Sequence, residues 1–61
     1  MREWLKEKRI TASLTMREVS MQSNISLCYY SQIENGKRNV SVTVAKAIAG
    51  VLDFDWNKFF D

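Results

Sequence analysis

The chain has 61 residues, 46% hydrophobic and 26% charged, with nine Lys and Arg against seven Asp and Glu. That composition excludes a disordered chain and allows one small core of marginal size, which a partner subunit would usefully cover. There is one cysteine and no histidine, glycine-rich phosphate loop or cluster of metal ligands, so nothing points to a disulfide, an enzyme, a metal or another cofactor.

The first helix is predicted over about residues 2–11, with Leu5 and Trp4 turned inward. Its N-terminal stretch, Arg2 to Arg9, mixes charges and lacks the apolar run of a signal peptide. Nowhere do about 18 apolar residues follow one another, so the expectation is a soluble cytoplasmic protein. Thr11-Ala12-Ser13 forms a short polar connector. Thr15 then opens a second helix over about 16–22: Glu18 stands three residues on, completing a capping box, and Leu14 and Val19 form the hydrophobic staple. Ser23-Asn24 breaks this helix, Asn24 being suited to a left-handed backbone.

Ser26 caps the third helix, with Ile25 and Tyr30 as its staple and Tyr30 and Ile33 on one inward face. Asn35-Gly36 ends it, and Lys37 to Val40 form a loop. Ser41 caps a fourth helix over about 42–51, where Val44, Ile48 and Leu52 follow the spacing of a buried stripe. Asp55 caps a final turn, 56–60, with Phe54 and Phe59 as its staple. Asp53 and Asp55 read as helix-end residues rather than a catalytic pair. There is no linker or repeat, so residues 1–61 read as one all-α, five-helix domain. Charge is uneven along it: residues 1–46 carry eight basic and four acidic side chains, and residues 47–61 carry Lys58 against Asp53, Asp55 and Asp61.

Several segments together resemble the helix-turn-helix domain of the phage lambda repressor and Cro family. They are Leu14-Thr15, Ile25-Ser26, Tyr29, the run Ser31 to Arg38, and Ser41, with Phe54-Asp55-Trp56 resembling the family's ending. The resemblance covers roughly residues 3–60 and is sharpest over Ser31–Arg38. It implies a DNA-binding transcriptional regulator, a repressor acting as a homodimer on a palindromic site, with no small-molecule ligand implied. Helix 3 is the recognition helix in that family. The resemblance therefore implies that Leu27, Cys28, Ser31 and Gln32 face bases, and that Thr15, Met16, Tyr29, Asn35, Lys37 and Arg38 lie near phosphates. Backbone N–H groups at the start of helix 2 would serve one phosphate. It also implies an ion pair between Arg9 and Glu34, clamping helix 1 to the recognition unit.

The chain departs from the family pattern at several positions. Met16 stands where the family commonly has glutamine, Ser20 where it has alanine, Ser13 and Asn24 where it has glycine, and Val40 where it has proline. Leu27 and Cys28 replace polar or basic readers; an apolar side chain meets a thymine methyl but makes no bidentate hydrogen bond. Gln32 is the one strong hydrogen-bonding reader, suited to adenine N6 and N7. Weak sequence discrimination, or reliance on dimer spacing and DNA shape, follows.

Other residues carry two readings each. Cys28, near a helix start, is a redox-sensitive thiol or a small apolar contact. Trp4, Trp56, Phe59 and Phe60 are dimer contacts or core, and consecutive Phe59 and Phe60 cannot both be buried on one helix face because they point about 100° apart. Trp4, Trp56 and Phe60 are the candidate dimer contacts. The alternative function is a protein-interaction module of the same fold, an antitoxin or partner-dependent regulator, docking through the apolar run Leu27-Cys28-Tyr29-Tyr30.

Overall fold

The local start signals do what their chemistry dictates. In the computed structural model, which describes residues 2–60, Thr15, Ser26 and Ser41 each accept a hydrogen bond from the backbone N–H three residues on, at 3.1, 3.1 and 3.2 Å. Glu18 returns the favour to the Thr15 N–H at 3.0 Å, completing the capping box. These caps open α2 (Met16–Gln22), α3 (Leu27–Glu34) and α4 (Val42–Leu52), after an uncapped α1 (Glu3–Thr11).

Each α-helix ends in the same way. Ser13, Asn24, Gly36 and Asp53 all take positive φ, between 59° and 75°, just past α1, α2, α3 and α4. In each case the next residue's N–H reaches back to the last turn: Leu14 to Arg9, Ile25 to Ser20, Lys37 to Gln32 and Phe54 to Ala49. This satisfies carbonyls that would otherwise be orphaned. Only Gly36 adopts the conformation without a side-chain penalty. Ser13 and Asp53 were not expected in this role.

The fifth element differs from the sequence expectation: Trp56–Phe60 is a 3-10 turn rather than an α-helix, so among the described residues the all-α fold has four α-helices and one short tight turn. Asp55 caps it as expected, its Oδ1 accepting from Asn57 N–H at 3.0 Å, but Lys58 N–H bonds the Asp55 carbonyl three residues back, the bond of a 3-10 turn. Five residues are too few to establish α-helical bonding once such local bonds compete.

The core gathers Leu5, Val19, Tyr30, Ile33, Val40, Ala45, Ile48 and Leu52. All four helices therefore contribute, and α2 packs against both α3 and α4. Val44 is only half-buried; Ala45 and Ala49 complete the inward stripe of α4 with Ile48 and Leu52. Ser20 is buried and its hydroxyl donates to the Arg17 carbonyl at 2.8 Å, so the polar atom placed at the helix crossing is satisfied. No described helix is long and apolar enough to cross a membrane.

At the far end, Trp4, Phe54 and Phe59 form a three-ring cluster with centroids 5.1 to 5.6 Å apart. Trp56 pairs edge-on with Phe60 at 6.0 Å. Phe59 is thus turned in, while Phe60 is 52% exposed.

Candidate nucleic-acid interface

Helices α2 and α3 are joined by four residues, and the join is held on both sides. Asn24 takes the left-handed conformation, Ile25 N–H bonds the Ser20 carbonyl at 2.9 Å, and Ser26 caps α3. The turn therefore sets the angle of α3 through backbone bonds, with Val19, Tyr30 and Ile33 fully buried behind it.

Burial of those residues leaves the other face of α3 outward, because each residue turns the helix by about 100°. Leu27 is 39% exposed and Cys28 is exposed, while Ser31 and Gln32 are half-buried. The four candidate base-reading residues are thereby brought together on one face. The docking run of the alternative reading is not: Tyr30 lies in the core and Tyr29 is half-buried, leaving Leu27 and Cys28 as its exposed members.

Of the candidate phosphate contacts, Asn35, Arg38 and Tyr29 lie beside this face. Thr15, Asn35, Lys37 and Arg38 are exposed, and Met16 is half-buried against the core. The Thr15 hydroxyl is engaged as a cap, and the Glu18 carboxylate sits at the same helix start. Asn35 Nδ2 donates to Ser31 Oγ at 3.4 Å. The Arg38 guanidinium lies over the Tyr29 ring, 5.1 Å from its centroid, and donates through Nε to Gln32 Oε1 at 2.8 Å.

Behind the helix, Arg9 grips Glu34 with a two-pronged fork, Nε to Oε2 at 3.0 Å and Nη2 to Oε1 at 3.2 Å. Its remaining prong, Nη1, donates to the Leu14 carbonyl at 3.0 Å. One side chain thus ties α1 to both the entry of α2 and the end of α3. Glu34 is buried and the Arg9 side chain only 14% exposed, so the pair sits in a poorly screened environment. The Glu34 hydrogen bond raises the Arg9 pKa above its ordinary value. Burial pushes the neighbouring Tyr30 phenol up, and the Glu34 carboxylate adds to the effect.

Arg2 was missed by the sequence reading. Its N–H donates to the Glu34 carbonyl at 2.8 Å, and its guanidinium reaches the carbonyls of Ile33 and Arg38 and lies over Phe59. A single arginine therefore joins the end of α3, the basic loop and the aromatic cluster. No spacing rule links it to residues more than 30 positions away, so nothing local signalled it.

A family profile described as helix-turn-helix matches residues 5–59. The chain belongs to the helix-turn-helix family of the lambda repressor and Cro type. It is also similar to an uncharacterised HTH-type transcriptional regulator of Bacillus subtilis, YqaF. The two are 46% identical over 61 residues, spanning 100% of this chain and 80% of that protein. No solved structure matches the chain. The helix-turn-helix match begins at Leu5 and ends at Phe59, so it takes in the core as well as the α2–α3 unit.

Proposed function

We propose that this chain is a sequence-specific DNA-binding transcriptional regulator that inserts α3 into the major groove and represses by occluding its site. The observation that carries this reading is the pairing of a braced inner face of α3 with an outward one. Arg9 and Arg2 fix the helix from behind, while Leu27, Cys28, Ser31 and Gln32 are left to meet base edges. Membership of a helix-turn-helix family and the similarity to a transcriptional regulator support it.

In this reading Thr15, Met16, Tyr29, Asn35, Lys37 and Arg38 approach the phosphates on either side of the groove and set the register, which carries no sequence information by itself. Leu27 and Cys28 contact thymine methyls, and Ser31 and Gln32 supply hydrogen bonds. The protein acts as a homodimer on a palindromic operator, its two recognition helices about one helical turn, ~34 Å, apart. Exposed Phe60, with half-buried Trp56 and Trp4, supplies the apolar contact between copies. No small-molecule ligand is required.

Selection from a random duplex pool at near-physiological salt tests the reading. An enriched inverted repeat with half-sites about one turn apart is the expected result. A single enriched half-site would remove the dimer. No enrichment from a folded sample would remove DNA binding and turn attention to a protein partner at Leu27 and Cys28. Sedimentation of Trp56→Ala and Phe60→Ala tests the dimer surface: a dimer that survives both changes excludes it.

A further inference from the structure

We infer that Arg38 determines which base Gln32 reads, by converting the Gln32 amide into a donor group that selects guanine. The inference rests on the DNA-binding reading above and goes further, to the identity of one base. Arg38 Nε donates to Gln32 Oε1 at 2.8 Å. Chemistry dictates the orientation of the amide, because a guanidinium has no acceptor and only the carbonyl oxygen can face it. The free end of Gln32 is then its NH2 group, with two donors.

Arg38 is held in two further ways, one through its guanidinium and one through its backbone carbonyl. The guanidinium lies over the Tyr29 ring, one turn back on the same helix face as Gln32. The Arg38 carbonyl accepts from Arg2 at 3.3 Å, which fastens the loop carrying Arg38 to the start of α1. Arg38 is therefore stationed beside Gln32 before any ligand arrives, which removes part of the ordering cost of binding.

An unengaged glutamine pairs with adenine by accepting from N6–H and donating to N7. Gln32 has lost one lone pair of its acceptor to Arg38, and the guanidinium charge beside the other repels the amino hydrogens of adenine and cytosine. Two amide donors next to a positive charge match an edge with two acceptors. Guanine alone offers that in the major groove, through O6 and N7; thymine offers only O4.

The test is duplex-pool selection with three proteins: the unaltered chain, Gln32→Ala and Arg38→Met. Gln32→Ala locates the position that Gln32 reads, as the one whose preference disappears. The expected result is guanine there for the unaltered chain, favoured by about tenfold. Arg38→Met keeps a long side chain for the Tyr29 ring but has no donor, and it should shift the preference to adenine. Its selection is run at lower salt, to offset the lost charge.

If Arg38 only neutralises phosphate, Arg38→Met weakens all sequences alike and the base stays the same, which overturns the inference. Any base other than guanine for the unaltered chain overturns it as well. So does an enriched site with no position that responds to Gln32→Ala. Those three outcomes leave DNA binding standing. A folded, unaltered chain that enriches no site removes the DNA-binding reading itself, and the inference with it.

Discussion

On the inner face of α3, Tyr30 and Ile33 expose no surface and Glu34 keeps 3%, whereas on the outer face Leu27 keeps 39% and Cys28 is exposed. Both sets come from one helix of eight residues. Tyr30 and Ile33 share the core cluster and Glu34 pairs with Arg9, so the identity of the inner set is governed by packing and by the demand that a buried charge be paired. The outer set is exposed and is free to vary with the surface it meets. Changes on one face should therefore be read as stability, and changes on the other as recognition.

Removing Arg9 should have the largest effect on the inner face. Arg9→Ala leaves the Glu34 carboxylate buried without its partner, and the expected loss of stability is about 3–5 kcal/mol, visible as a large drop in melting temperature by circular dichroism. An unchanged melting temperature would show that the pair does not brace the fold. Replacing both partners with apolar residues should recover much of the loss, because the uncompensated charge is then gone.

Ile33→Ala is the next largest change. It opens a cavity in the core cluster that Ile33 shares with Leu5, Val19 and Ile48 and should cost about 2–5 kcal/mol, a large share of the stability of a domain this small. Denaturant unfolding measures it; a loss below 1 kcal/mol would mean that the core collapses around the gap. Ser26→Ala removes the cap of α3, and about 1 kcal/mol is expected to go with it. Because the cap fixes the start of α3, this change should lower both the melting temperature and DNA affinity. A drop in affinity without a drop in melting temperature would mean that Ser26 touches DNA directly.

On the outer side the expected effect on folding is smallest. Lys37→Ala should leave the melting temperature within the range of ordinary surface changes, about 0.5 kcal/mol. It should weaken binding to all duplexes and lower the salt dependence by about one unit of slope. A change in base preference instead would place Lys37 at a base edge. Stability and recognition would then be divided along α3 differently from what burial suggests.

Caps, staples and turns were legible in the chain because each depends on residues at most five apart. Thr15 with Glu18, Ser26 with Tyr29, and Asn24 in its left-handed turn needed no tertiary information. Tyr30, Ile33, Ile48 and Leu52 were legible as core from helical spacing alone. The pairing of Arg9 with Glu34 entered through family resemblance, since 25 residues separate the two and their spacing carries no signal. The left-handed Ser13 and Asp53 were not legible in that role, because serine and aspartate occur in many turn conformations.

Local sequence is enough to set where α2, α3 and α4 start, that Tyr30, Ile33, Ile48 and Leu52 enter the core, and that one of Phe59 and Phe60 must face outward. These follow from local hydrogen bonding and from the 3.6-residue period, which act before the chain is folded. Packing of the helices against one another is what lets Arg2 join the end of α3 to the aromatic cluster, and Arg38 take the Gln32 carbonyl while lying over Tyr29. Long, flexible cationic side chains have many partners within reach, and their choice is made by which carbonyls and rings the packed helices bring near them.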